Sequence, residues 1–508
     1  MVIWWYILRK AKLFVINGVI LTLTSFIIRT VGMSFNVYVS NKVGAECTGL
    51  FQLILSVYLF AITLATSGIS IAATRLVSEE LAKNKPKGAK IIIKKCIIYS
   101  LILGISSGAV VLLFSSFIVN TCLHGKISKM PLYAIAIGLP FISMSAAING
   151  YFSAVRKVFK TASSQILEQF VKIFVTYFLL SLFLPKGLEY ACLALIIGDV
   201  ISEVVSFTYI FLLYLNDKRK LKNIGNTEEN TYTKDILNIS IPIALTSYIR
   251  SGLSTLKQLI IPTRLEKSGI SCEKALADFG IVSGMALPLI MFPSVIIISI
   301  SNLLIPEYSA FYAKNDLKQI NRISVKLLKI TFIFAICVFG IFFTFPQELS
   351  TLMYEEKEVI YYIQILSPLI IFMYIDTIVD GMLKGLNKQV AVMKCNIFDL
   401  FLSTSLLYIL LPILGILGYV IVLYISEILN TVISIIQLIK ATKVKIKFVT
   451  WTFFPITSAI LARYIIKLIN IKISSDILSL IAEIIVFVTV YLGFLYFSNI
   501  ITRKDLKI

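Results

Sequence analysis

Residues 149–157 read NGYFSAVRK, and 231 positions later residues 380–388 read DGMLKGLNK. The same shift carries AKNK at 82–85 onto AKND at 313–316, and SQILEQF at 164–170 onto CNIFDLF at 395–401. Each likeness is weak alone, but one common offset is the mark of an internal duplication. Nearer the start of each half, TSFIIRT at 24–30 resembles TSYIRS at 246–251 with a shift of 221 or 222, so a short insertion separates the two registers.

The duplicated material is made for a membrane. Of 508 residues, 58% are hydrophobic and only 15% charged, too little polar surface to cover a soluble domain of this length. A bilayer core about 30 Å thick needs about 20 apolar residues per helical span. Runs of that length are centred near residues 26, 61, 105, 142, 174, 201, 247, 290, 335, 371, 403, 428, 460 and 488, which predicts about fourteen transmembrane helices. The runs are continuous rather than alternating, which excludes an outer-membrane barrel.

Lys and Arg gather in the N-terminal stretch, in the joints after the even-numbered spans and in the tail. By the positive-inside rule these segments are cytoplasmic, as are both termini. The net charge of +21 is therefore chiefly a topology signal with attraction to anionic lipid, and no soluble basic module points to nucleic acid. Six spans separate the two copies, so both begin on the same side. The expected fold is an all-α polytopic membrane protein of two pseudo-symmetric six-helix lobes around a central cavity, plus two C-terminal helices. Its divisions are a cytoplasmic leader (1–12, without a cleavage site), an N-lobe (13–215), a cytoplasmic linker (216–235), a C-lobe (236–440), and the last two spans with the tail (441–508).

Charges inside spans are the candidates for function, because burying one costs about 2.5–3.5 kcal/mol on insertion scales. Arg29 stands in the first span, and the duplication matches it with Arg250 in the seventh. Two matched guanidinium groups facing a cavity suit a phosphate, since each planar fork donates two parallel hydrogen bonds. The plainer alternative is that each pairs with a helix carboxylate such as Asp199, Glu203 or Asp376. A second matched pair is Glu168 with Asp399, each three residues after an amide, Gln165 or Asn396. Asp199 with Glu203, and Asp376 with Asp380, are acid pairs at i,i+4, a spacing at which like charges repel or invite a cation. These six acids are candidates for a coupling proton or sodium ion, while Glu168 also stands four residues before Lys172 and can pair with it. Pro288 and Pro293 mark a candidate hinge in the eighth span.

Nothing here suggests an enzyme, a metal centre or a bound cofactor. His124 is the single histidine, and no nucleophile elbow, zinc spacing or phosphate-cradling loop occurs. The seven cysteines are dispersed, mostly within apolar runs, and read as membrane-core residues.

IRTVG at 28–32, LFQLILSVYLFAITLATSGISIAATRLVSEE at 50–80, SQILEQFVKIF at 164–174, FLPKGLEYA at 183–191 and LIPEYSA at 304–310 carry a family resemblance. Together they resemble the multidrug/oligosaccharidyl-lipid/polysaccharide exporter superfamily, in the branch of stage V sporulation protein B, related to the lipid II flippase of peptidoglycan synthesis. The resemblance implies a bacterial plasma-membrane flippase that moves undecaprenyl-pyrophosphate-linked saccharides outward by alternating access, in the making of spore cortex or cell wall. Its implied partners are that substrate, membrane lipids and cell-wall synthesis proteins. The flippase pattern carries onto Arg29 and Arg250, but a further first-span arginine of that branch has no counterpart in Met33 to Asn36. A cation-coupled multidrug exporter of the same fold and a non-transporting scaffold of wall synthesis are the alternatives.

Overall fold

The computed structural model describes residues 2–122, 128–220, 231–469 and 476–501, the first 23 as backbone. His124, residues 221–230 of the linker and the tail from residue 502 lie outside the described residues. The regular structure described is helical, without a strand, as expected where lipid offers backbone groups no partner.

The helices are α1 (Val2–Thr66), α2 (Ile69–Ala82), α3 (Pro86–Leu113), α4 (Met130–Ala154), α5 (Val158–Phe183), α6 (Leu188–Lys220), α7 (Thr231–Glu266) and α8 (Cys272–Phe279). They continue with α9 (Ser294–Ala313), α10 (Leu317–Thr344), α11 (Val359–Leu366), α12 (Leu369–Gly385), α13 (Gln389–Leu414), α14 (Ile416–Thr442), α15 (Phe448–Ile469) and α16 (Asp476–Phe497). Among the described residues twelve helical segments are long and apolar enough to cross a membrane, or thirteen with the bent pair α11 and α12 as one. The difference from about fourteen is one of bookkeeping. Phe26–Ala82 holds two of the expected spans, the eighth is cut in two near Pro293, and α7 is not among the segments counted.

The duplication is written into the helix ends. Ala82, Pro86, Ala154, Val158 and Phe183 bound helices in the first half, and Ala313, Leu317, Gly385, Gln389 and Leu414 bound them 231 residues later. The chain turns through left-handed backbone at Asn84 and Asn315 (φ 55° and 54°), and again at Arg156 and Asn387 (φ 58° and 60°). That conformation closes a helix C-terminus by satisfying its last carbonyls. The helix crossings repeat as well. A Cβ on Gly150 would stand 2.5 Å from the Ser70 carbonyl oxygen, and one on Gly381 2.9 Å from that of Ser301, the equivalent residue. Only glycine allows those helices so close.

By contact the chain divides into two compact units, Met1–Asn36 with Glu46–Thr263, and Val37–Ala45 with Arg264–Ile508. In the first, α4 packs on α2, α3 and α6, and α5 on α6. In the second, α12 packs on α9, α10 and α14, and α13 on α14, which is the same wiring. The division falls within α7, beyond the 216–235 linker, because α7 packs on the second limb of α1. Tyr248 Oη donates to the Leu64 carbonyl (3.0 Å), Ser251 Oγ to Thr63 Oγ1 (3.1 Å) and Thr255 Oγ1 to the Ser56 carbonyl (3.0 Å). Residues 37–45 instead belong with the second unit, where the Asn41 amide donates to the Met353 carbonyl (2.7 Å) and accepts from Glu355 N (3.3 Å).

The last two helices pack on one another and on α10: Tyr491 Oη donates to the Ile333 carbonyl (2.8 Å), and Phe487 and Tyr491 are fully buried. Helix breaks fall at expected residues. Gly44 (φ 79°) interrupts α1, a π-helical stretch at Gly280–Ala286 precedes Pro288, and the sharpest bend between paired segments, 55°, comes at Pro368.

Candidate substrate and ion sites

Arg29 is exposed on the first limb of α1. Its polar neighbours are satisfied locally, Thr30 by the Phe26 carbonyl and Ser34 by that of Thr30. Gly32 faces α5, since a Cβ there would lie 3.7 Å from Gln169 Nε2. Arg29 is three residues earlier, within about 60° of that face. Arg250 is exposed on α7. Tyr248, Ser251, Gly252 and Thr255 define the face of α7 turned to α1, and helical spacing sends Arg250 to the opposite side. Both arginines belong by contact to the first unit. Among the described residues neither makes an ion pair, so the plainer alternative, a guanidinium locked by Asp199, Glu203 or Asp376, is not what the structure contains.

The acids form one cluster in each unit. In the first, Lys172 Nζ on α5 lies 2.5 Å from Asp199 Oδ1 on α6, whose side chain is 7% exposed. The pairing of Lys172 with Glu168 that the i,i+4 spacing allowed is therefore superseded by a pair across helices. Glu203 stands one helical turn after Asp199 on α6, Glu168 one turn before Lys172 on α5, and Tyr58 of α1 is buried. Ser164 and Ser206 join α5 to α6 beside them (2.8 Å).

In the second unit Ser426 Oγ on α14 donates to Asp399 Oδ1 on α13 (2.6 Å), and Asp399 is buried. Asp376 and Asp380 of α12 interact electrostatically with one another, and Asp376 with Asp399. Lys384 lies 3.7 Å from Asp380 at the end of α12. Asp376 Oδ1 is buried without a hydrogen-bond partner among the described residues, and Asn430 of α14 accepts from the Cys395 thiol (3.3 Å).

The sequence reading matched only Glu168 with Asp399. At the same offset Asp376 and Asp380 stand where the first unit has Ser145 and Asn149, while Asp199 and Glu203 stand where the second has Asn430 and Ser434. Each unit thus carries three carboxylates at one pseudo-equivalent place, two of them supplied by different helices. Lys172 has Ser403 as its counterpart, so only the first cluster has an ammonium anchored on that helix. The signal was legible only once the structure brought α4, α5 and α6 together, because the matched positions differ in residue type.

Chemically, one unit presents guanidinium groups without an ion pair among the described residues, suited to an anion, and both present carboxylates suited to taking up protons. Among the described residues no group of three or more His, Cys, Asp or Glu has the geometry of a metal site. These features, on two copies of a six-helix unit with two added helices, define a multi-pass membrane transporter or flippase.

Comparison with known proteins supplies the family. The model for the polysaccharide biosynthesis protein family matches residues 14–312, and the MatE model matches 273–409. The chain is 25% identical over 442 residues to stage V sporulation protein B of Bacillus subtilis, covering 85% of each chain. It is 24% identical over 407 residues to the lipid II flippase MurJ of that organism, covering 73% of this chain and 72% of the other. Among solved structures, the inward closed conformation of a lipid II flippase MurJ superposes with a TM-score of 0.71 at 16% identity, over 94% of this chain and 99% of that one. An inward-facing multidrug resistance transporter gives 0.63 at 16% identity, over 82% and 99%. The chain belongs to the polysaccharide biosynthesis protein family of the multidrug/oligosaccharidyl-lipid/polysaccharide exporter superfamily, in the branch of stage V sporulation protein B.

Proposed function

We propose that this protein is a flippase for an undecaprenyl-pyrophosphate-linked saccharide, a lipid II-like precursor of spore cortex or cell wall. It works by alternating access in a bacterial plasma membrane, with both termini in the cytoplasm. The observation that carries the reading is the pair of exposed span arginines, Arg29 and Arg250, neither held by a carboxylate among the described residues. A guanidinium kept in a span without a counter-ion is costly unless a ligand or water receives it. A diphosphate supplies the acceptors, since it carries about two charges and cannot cross hydrocarbon unaided.

The acids then serve as the coupling groups. Glu168, Asp199 and Glu203 in the first unit, and Asp376, Asp380 and Asp399 in the second, take and release a proton or sodium ion as the protein changes state. Loss of that charge loosens the hold on the head group. The names of two relatives, a lipid II flippase and a sporulation protein, support the choice of substrate class.

The test is native mass spectrometry of the purified protein with lipid II, comparing the parent with Arg29→Ala/Arg250→Ala. Two lost forks at about 1.5 kcal/mol each predict binding about a hundredfold weaker. Equal binding by a folded double mutant refutes the arginine site. Absence of lipid II binding in the parent, with binding of a lipophilic cation instead, makes it a cation-coupled drug exporter. If the double mutant restores wall synthesis in cells as well as the parent does, the protein is a scaffold.

A further inference from the structure

Two of the seven dispersed cysteines are brought together by the fold. Cys47 lies on the second limb of α1, three residues past the break at Gly44, and Cys192 lies in the second turn of α6. Their Sγ atoms are 3.2 Å apart and both side chains are fully buried. The Cys47 thiol also reaches the Leu188 carbonyl and the Cys192 thiol the Cys47 carbonyl, each at 3.8 Å. A disulfide has its sulfurs about 2.05 Å apart, so the pair need close by only a little over an ångström.

The place matters as much as the distance. Both cysteines sit at helix ends adjoining the joints after odd-numbered spans, residues 40–49 and 184–190. The orientation read from the loop charges places those joints outside the cell, and the inference rests on that orientation. Disulfides form and persist on that side of a bacterial membrane. The equivalent of Cys47 in the second half is Asp278, so the duplication does not account for the pair. Packing alone does not account for it either, since any small apolar residue fills such a site.

We propose that Cys47 and Cys192 are a dithiol that closes to a disulfide on the extracytoplasmic side, with a disulfide-bearing compound or protein as oxidant. The thiolate of one cysteine attacks an oxidant sulfur, giving a mixed disulfide and releasing one oxidant thiol. The second cysteine attacks the sulfur of the first, and the other oxidant thiol leaves. Two electrons pass to the oxidant's sulfur–sulfur bond and the two cysteine protons end on its thiols. Access runs beside the first turn of α6, where Leu188 and Tyr190 are 39% and 43% exposed and the helix starts after Gly187 (φ 114°), which directly follows a single 3-10 turn at Leu184–Lys186. The bond ties the second limb of α1 to α6 immediately beyond Gly44, so the chain pivots at that glycine without loosening the helices on its far side.

The experiment uses full-length protein in right-side-out membrane vesicles treated with oxidised glutathione, which does not cross the bilayer. Free thiols are trapped with N-ethylmaleimide in denaturant, and unreduced peptides are mapped. The expected result is one cross-linked peptide joining Cys47 to Cys192, with the other five cysteines alkylated, and loss of the cross-link in Cys47→Ser. Vesicles of the opposite orientation should give none. The proposal is overturned if both thiols are alkylated in the folded protein while a urea-treated control cross-links. It is equally overturned if glutathione stays attached to either cysteine unresolved, or if only inverted vesicles form the bond.

Discussion

Replacing Lys172 by methionine tests whether the ammonium between α5 and α6 is a fixed part of the first cluster. Methionine keeps the length and apolar stem of the side chain and removes only the charge. Asp199 would be left with its carboxylate 7% exposed and without the partner 2.5 Å away. Breaking a fully buried pair by removing one member costs about 3–5 kcal/mol, because the survivor is charged and unsolvated. Lys172 is 34% exposed, so water already screens part of its attraction and the cost should fall to about 2 kcal/mol. The assay is unfolding by denaturing detergent in mixed micelles, run on Lys172→Met, Asp199→Asn and the double variant. Removal of both charges should recover most of the loss, giving a coupling of about 1–2 kcal/mol in the cycle. Lys172→Met should also become more stable as sodium chloride replaces an organic-cation salt at constant ionic strength, because Glu168, Asp199 and Glu203 then stand without a cation of their own. Additive single effects, or a Lys172→Met within about 0.5 kcal/mol of the parent, would refute the reasoning.

Three further outcomes follow from the same geometry. Gly150→Ala and Gly381→Ala place a methyl against the backbone of the crossing helix, so each should lose about 1–3 kcal/mol in the same unfolding assay, whereas Gly493→Ala, with open space around it, should not. Ser426→Ala removes the donor to buried Asp399, and a loss of about 1.5–3 kcal/mol is expected, recovered in part by adding Asp399→Asn. Arg29→Lys retains the charge but not the fork, and should weaken lipid II binding by about threefold in native mass spectrometry, between the parent and the roughly tenfold loss of Arg29→Ala.

The fold was legible to the degree that its cause is periodic. Lipid leaves a spanning backbone no choice but its own hydrogen bonds, so an apolar run of the right length reads directly as a helix. A duplication repeats turn chemistry, so Asn84 and Asn315 end helices at the same place in each half. The site was less legible for a reason visible in its residues. Helical spacing identified Asp199 with Glu203 and Asp376 with Asp380 as pairs on one helix, but the partners of Asp199 and Asp399, Lys172 and Ser426, stand on another helix. Lys172 is four residues from Glu168 and forms its ion pair with Asp199, a choice made by the approach of α6 to α5. Cys47 and Cys192 are 145 residues apart and read as core, until two helix starts bring them into contact. The pseudo-symmetry of the acid clusters was hidden for a further reason. What is shared between the units is a place in the fold, with Asp199 aligned with Asn430 and Ser145 aligned with Asp376 at the offset of 231, while three carboxylates stand in each. A cluster kept in number while its members change helices is under electrostatic rather than packing constraint. The difference that remains between the two is where the ammonium is tethered, Lys172 reaching across helices to Asp199 in the first and Lys384 standing one turn from Asp380 on the same helix in the second, and there their roles should part.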